Sequence, residues 1–427
     1  MIGALDRPFY FIVVLWGERF RDYFLEYCVP SLLAPQNLPA LATRQQSKIL
    51  IATTTTDWAV LQAAPVFSVL QRYVMPVHLE IPPCPVGRSS YDHMSLGHKL
   101  ACEMAYHDAA YTTLLTPDCI VSDGTVARLQ QLAADGCQLV IAPAVRFGEE
   151  PLFAQLRKLG LLTDSNRSLS GAPLAISSRQ MVHAAVNALH SETLAYEWDA
   201  PGFLLIVPTA WWRVPGENGI LVHNLTWAPM LLDYGALAAH NTSTFARWTF
   251  DGDYLFKNSQ ELKRIHVVQD SDELFLASWG PMGEPPIAKH HIPLLGKLAA
   301  KVQFGANYKS AFFDRFKRQM FFVPVRWHGL PLNDKWPEIE RRAMTELLRY
   351  TTPPGESIFF QTDQAAEKWR RLGARLLVTL FVMLRPAFIM IYHRQAVWRK
   401  LRQAASGDRA AIRQLFWYAR LFGSNRY

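Results

Sequence analysis

Residues 111 to 124 read Tyr-Thr-Thr-Leu-Leu-Thr-Pro-Asp-Cys-Ile-Val-Ser-Asp-Gly and hold two carboxylates, Asp118 and Asp123, in a setting suited to chemistry. The apolar run Tyr111 to Leu115 reads as a buried strand, and it stops at Thr116-Pro117 because proline cannot donate to a sheet ladder. Gly124 then opens a helical pattern, Thr125 to Ala134, with Val126, Leu129 and Leu132 on one face. Acidic groups just past the carboxyl end of a strand in an α/β chain sit where ligands and metals bind. A plainer role is open to the same residues: an Asp in such a turn caps its own backbone or the next helix.

A second acidic turn, Asp251-Gly252-Asp253, lies about 130 residues on. Glycine between two Asp allows close approach of backbone to a ligand. A carboxylate here could accept a hydroxyl proton, the pair could hold a metal, or the segment could be a polar turn.

The elements that must position these groups alternate. Phe9 to Leu15 reads as a strand, Phe20 to Leu33 as a helix, and Lys48 to Ala52 as a second strand with the turn Thr53 to Asp57 after it. Trp58 to Val69 reads as a helix, Val74 to Ile81 as a strand, Tyr91 to Ala110 as a long helix, and Gln138 to Pro143 as a further strand. Strands alternating with helices imply parallel strands and a doubly wound sheet. Beyond Arg146 the pattern is mixed: helices at Phe153 to Leu162 and Arg179 to Leu189, strands at Phe203 to Pro208, Leu262 to Gln269 and Glu273 to Ser278. From Met282 onward it shows helices and loops without a clear strand.

This order of parts resembles a GT-A-type glycosyltransferase, the nucleotide-sugar-dependent class, over roughly residues 7 to 270. The resemblance implies an α/β fold: a GT-A-like (Rossmann-like) mixed sheet flanked by helices, with a helical C-terminal region. It implies that an acidic motif after the fourth strand binds a divalent metal, Mn or Mg, bridging the donor diphosphate. Asp118 and Asp123 stand there, with four residues between them where the usual pattern has one, and His223 is the candidate for a late third ligand. The first two strand ends should touch the nucleotide, through Trp16 and Gly17 and through Thr53 and Asp57; Asp57 is equally a helix N-cap. His98, Lys99 and Arg146 are cations placed to reach a phosphate. Asp251 or Asp253 would be the catalytic base.

The chemistry matches those residue types. Glycosyl transfer passes through an oxocarbenium-like state, and negative charge grows on the departing diphosphate, which a hard cation or Lys and Arg stabilise. Phosphate-loop, dinucleotide and nucleophile-elbow signatures are absent. No nucleic-acid module shows its signature either. Five Cys without a paired spacing fit neither a zinc site nor a disulfide framework.

Charge is divided unevenly. Gln361 to Tyr427 carries 13 Lys or Arg against 3 Asp or Glu, and the rest of the chain 31 against 33, so the tail holds all of the +8 excess. Leu376 to Tyr392 is apolar except for Arg385-Pro386, too short and too interrupted for a clean span and suited to lie along an interface. Basic residues mixed with Trp398, Trp417 and Phe416 describe an interfacial anchor for an anionic membrane surface. The expected organisation is a catalytic domain at 1–270, a mostly helical accessory region at 271–370 and a membrane-associating tail at 371–427. The expected function is transfer of a sugar from a nucleotide-sugar donor to a glycan or lipid-linked acceptor, by a cytoplasmic protein peripheral to the inner face of the membrane. The alternative is a non-catalytic membrane-peripheral scaffold or glycan-binding protein on a sugar-nucleotide fold.

Overall fold

Strand β1, Phe9–Val14, is buried at every position, and its side chains alternate between two cores. Tyr10 and Ile12 enter one; Phe9, Phe11 and Val13 enter the other. In β2, Lys48–Thr53, Leu50 goes with the first set and Ile49 and Ile51 with the second. A continuous apolar run with this division belongs to a parallel strand covered on both faces.

The computed structural model describes residues 7–392 apart from 86–88, 164–166, 201–208, 225–226, 247–248, 251, 260, 284–295, 310–319 and 353–364, and beyond them only 398, 401–402 and 405. The expected strand at 203–208 and nearly all of the tail beyond 392 lie outside the described residues.

Strands β3 (Met75–Glu80) and β4 (Tyr111–Leu115) complete a parallel set in the order β4-β1-β2-β3. Next to β4 comes β10 (Trp227–Asp233), antiparallel to it and to β6 (Leu139–Pro143), and β11 (Ile265–Val267) closes the far edge parallel to β6. The result is a seven-stranded mixed sheet, β11-β6-β10-β4-β1-β2-β3, flanked by helices. The fold is therefore mixed α/β, as the alternation implied. Helix Ser90–His107 lies against β1 and β2, where Gly97 makes the approach possible: an added Cβ would stand 2.7 Å from the Ala52 Cβ and 2.8 Å from Val14.

Two three-stranded sheets extend this body. In one, β12 (Leu276–Gly280) lies between β5 (Cys119–Val121) and β7 (Arg146–Gly148). In the other, β9 (Gly219–Asn224) lies between β8 (Thr209–Arg213) and β13 (Val325–His328). Strand β13 falls where the sequence showed only helices and loops; at four residues it is too short for periodicity to reveal, and it exists because β9 offers it an open edge. A third core, with Trp198, Trp212, Phe321 and Trp336, joins this sheet to helices Gly296–Lys309 and Lys335–Tyr350. Helix Ala365–Tyr392 runs through Arg385 and Pro386, which the sequence marked as an interruption.

Candidate active site

The carboxyl ends of β1, β2 and β4 share one edge of the main sheet because the three strands are parallel. At the end of β1, Trp16 packs edge-on to His93 with ring centroids 4.8 Å apart. The Gly17 amide donates to the Asp57 carboxylate at 3.0 Å. Asp57 also accepts from Arg21 at 3.0 Å and from the Thr54 hydroxyl at 2.8 Å. The N-cap of helix Thr55–Ala63 is Thr54, so Asp57 is no cap; it ties the loop after β1 to the loop after β2. Thr53 ends β2 fully buried, and its hydroxyl has no hydrogen-bond partner among the described residues.

Asp118 follows β4 at the same edge. Its carbonyl accepts from the Trp279 amide at 3.3 Å, because β12 runs alongside. Register does the rest. Cys119 faces Ser278 on one side of β12, and Arg146 faces Ser278 on the other. Cys119 and Arg146 therefore flank one strand, with backbones roughly 10 Å apart at about 4.8 Å per strand, and Asp118 stands one residue before Cys119, close enough to feel the Arg146 charge. Burial pushes the Asp118 carboxyl up from its ordinary value; a hydrogen bond from Thr116 and the charges of Arg146 and Arg19 oppose this without cancelling it. A Cβ on Gly280 would meet the Arg146 guanidinium, which would have to move aside. The Arg146 carbonyl is held by the Thr193 hydroxyl at 2.6 Å and the His190 amide at 3.2 Å.

Three further residues complete this edge. Arg19 donates to Glu149 and to the Tyr23 hydroxyl, both at 2.9 Å, and Tyr23 in turn donates to Glu149. The Tyr23 ring stands edge-on to Trp279. Arg19 lies three residues after Trp16, and its distance from the end of an apolar strand was the signal that could have marked it.

The other expected site residues go elsewhere. Asp123 accepts from the Gln36 amide at 2.8 Å. Strand β5 separates it from Asp118 by about 16 Å of extended chain, at roughly 3.3 Å per residue, so the two carboxylates cannot share a cation. His223 is fully buried in β9, in a different sheet, with Nδ1 against the Phe321 carbonyl at 2.9 Å. Burial lowers its pKa to about 4, and it is a neutral core histidine. The expected triad of Asp118, Asp123 and His223 is thus not assembled. His98 is also a core residue: its Nδ1 accepts from the Phe250 amide at 3.3 Å among Phe245 and Phe250, and burial lowers its pKa to about 3, so it brings no positive charge to a phosphate. Lys99 points to solvent and pairs with Glu103 at 3.6 Å one turn along its own helix. Asp251 lies outside the described residues; Asp253 falls in the first turn of helix Gly252–Ser259, and its side chain is likewise outside them.

One group that sequence reading passed over has the ligand types of a cation site. Asp270, Asp272 and His328 offer ligand atoms that all lie within 4.8 Å of one another. The D-x-D spacing of Asp270-Ser271-Asp272, between two short strands, was its legible signal; His328 joins only through β13. The group could hold a divalent metal, but its atoms are engaged. Arg179 grips Asp272 through Nε at 2.9 Å and Nη2 at 2.6 Å, and His328 meets Asp270 at 2.8 Å and the Leu330 carbonyl at 2.7 Å. It lies past the far end of β12 from Asp118: Asp272 precedes Leu276, whereas Asp118 stands beside Trp279.

No known protein family and no curated protein matches this chain. Among solved structures it is similar to S. aureus TarS, with 12% sequence identity and a TM-score of 0.22 over 42% of this chain. The aligned part spans 34% of that structure, about a third of its length. A likeness of that size bears on neither the fold nor the activity.

Proposed function

We propose that this chain is a glycosyltransferase that moves a sugar from a nucleotide-sugar donor to a glycan or lipid-linked acceptor at a membrane surface. The observation that supports this most is that Asp118 and Arg146 lie on either side of β12, close enough for the Arg146 charge to act on the Asp118 carboxyl, near the carboxyl edge of the parallel strands. Crevices at that edge of an open α/β sheet are where nucleotides bind.

In this reading the nucleoside lies against Trp16, over the loops that Asp57 ties together. The diphosphate reaches Arg146 and Arg19. As the bond from sugar to phosphate breaks, charge builds on the leaving oxygens, and fixed guanidinium groups stabilise it there without rearranging. A cation held between two carboxylates does not fit this edge. Of the carboxylates at this edge, Glu149 is engaged by Arg19 and Tyr23, Asp57 by Arg21 and the Gly17 amide, and burial shifts Asp118 toward its protonated form. The residues present suit positioning of a donor hydroxyl by Asp118 and charge neutralisation by arginine. The Asp270, Asp272 and His328 group could hold a divalent metal, but it lies past the far end of β12 from Asp118, so a metal there would not serve the donor diphosphate at this edge.

A screen of nucleoside-diphosphate sugars by thermal shift, with Mn²⁺ or with EDTA, tests the reading. A donor at 100 times its Kd should add about 2.7 kcal/mol of stability. Arg146→Ala should lose that response with an unchanged melting temperature in the absence of ligand. Asp118→Asn should keep the fold and lose transfer. If no nucleotide sugar stabilises the protein, the reading fails.

A further inference from the structure

Helix Ala365–Tyr392 packs on helices Gly296–Lys309 and Lys335–Tyr350 with its polarity turned inside out. An ordinary surface helix puts apolar residues inward and charges outward. Here Arg371 and Arg375 are buried with Val378 on the inner side. The Arg375 guanidinium donates to the Leu348 carbonyl at 3.1 Å. The outer arc carries Trp369, Leu372, Leu376, Leu380 and Met383, spaced by three or four residues, with Leu377 and Leu384 beside them. Trp369 and Met383 are 70% and 71% exposed, Leu376 62% and Leu380 52%. About four turns of one face thus present an apolar stripe to the outside, flanked by the exposed Arg370 and Thr379.

Such a stripe needs a cover, because contiguous exposed apolar surface marks a contact with a partner or a lipid phase. Charge decides which. The segment from Gln361 onward holds 13 Lys or Arg against 3 Asp or Glu. Two copies meeting through it would repel, whereas an anionic lipid surface would attract it. Arg402 and the exposed Trp398 and Leu401 continue the same mixture beyond the helix. No helix among the described residues is long and apolar enough to cross a membrane, so the contact this face can make is along a surface.

We propose that the outer face of Ala365–Tyr392 lies in the headgroup layer of an anionic bilayer, with Trp369, Leu376, Leu380 and Met383 inserted and the inward arginines fixing its roll. This rests on the proposed function only in its membrane location; nucleotide binding is independent of it.

The test uses the full chain with sedimenting vesicles of phosphatidylcholine, with and without phosphatidylglycerol. The protein should pellet with the anionic vesicles, less so at high salt. The double variant L376E/L380E should lower its partition by about tenfold or more, since apolar insertion is lost and two carboxylates offset part of the basic charge. Both positions are exposed, so its melting temperature should match the parent's. Equal pelleting of parent and variant overturns the proposal. So does a parent that is dimeric by light scattering, ignores vesicles and becomes monomeric in L376E/L380E, since a second copy then covers the face. Nucleotide-sugar thermal shifts on the same proteins separate the two readings: vesicle binding without any nucleotide response leaves this proposal standing and removes the transferase.

Discussion

The Asp57 carboxylate accepts the Gly17 amide at 3.0 Å and thereby joins the loop after β1 to the helix after β2. The same carboxylate neutralises Arg21, whose side chain is only 17% exposed. The junction of these two loops is thus set by one buried ion pair.

Asp57→Ala should therefore cost about 3 kcal/mol, the usual penalty for stranding one partner of a buried pair. Asp57→Asn keeps an acceptor for the Gly17 amide and should cost less. Urea unfolding of the two variants measures this. A loss below about 0.5 kcal/mol in the alanine variant would place it with ordinary surface changes and against a clamp.

Gly97→Ala should force helix Ser90–His107 off the sheet, because the new methyl group would meet Ala52 at 2.7 Å and Val14 at 2.8 Å. Overpacking of this kind costs roughly 1–3 kcal/mol. Ala52→Gly in the same chain should restore part of it, and the double-mutant cycle should show coupling. Strict additivity would mean that the contact is not the cause.

Acid should weaken the fold through two histidines. His98 and His223 have folded pKa values lowered to about 3 and about 4, from 6.5 for the free side chain, with burial as the first cause in both. Because folding favours their neutral forms, their contribution is complete above about pH 6.5 and falls as the pH drops toward the folded values. His98→Gln and His223→Gln should each flatten the loss of melting temperature over that window. An unchanged slope in both would remove them as its source.

His328 should behave in the opposite sense. Burial lowers its pKa, but Asp270 and the Leu330 carbonyl outweigh this and raise it overall. The stabilisation is fully present below the unfolded value of 6.5 and is lost as the pH rises through the folded one. His328→Gln should accordingly destabilise the protein in mild acid and have little effect in alkali. Any Mn²⁺ captured by Asp270, Asp272 and His328 must replace a ring proton and displace Arg179, so its stabilising effect should grow with pH. The pH dependence of melting, with and without Mn²⁺, checks both signs.

Sequence by itself determined the sheet order's raw material. The runs Phe9 to Leu15, Lys48 to Ala52 and Tyr111 to Leu115 are local patterns of apolar residues bounded by turn formers, and local patterns are visible in one dimension. The chemical interest of Asp118 and Arg146 was legible for the same reason: each sits at the end of such a run. Tertiary structure alone decided which of the candidates meet. In sequence His98 looks like a cation for a phosphate and His223 like a metal ligand, yet packing surrounds them with aromatic and aliphatic groups and removes their charge. Asp123 lies five residues from Asp118, and a short strand is enough to hold it away. Strand β12 brings the Asp118 segment beside Arg146, and β13 brings His328 to Asp270; both join segments far apart in the chain, fixed by hydrogen-bond register. The inverted face of Ala365–Tyr392 needed the structure too. Periodicity marks an apolar stripe, but only the neighbouring helices show whether that stripe points into the body or away from it.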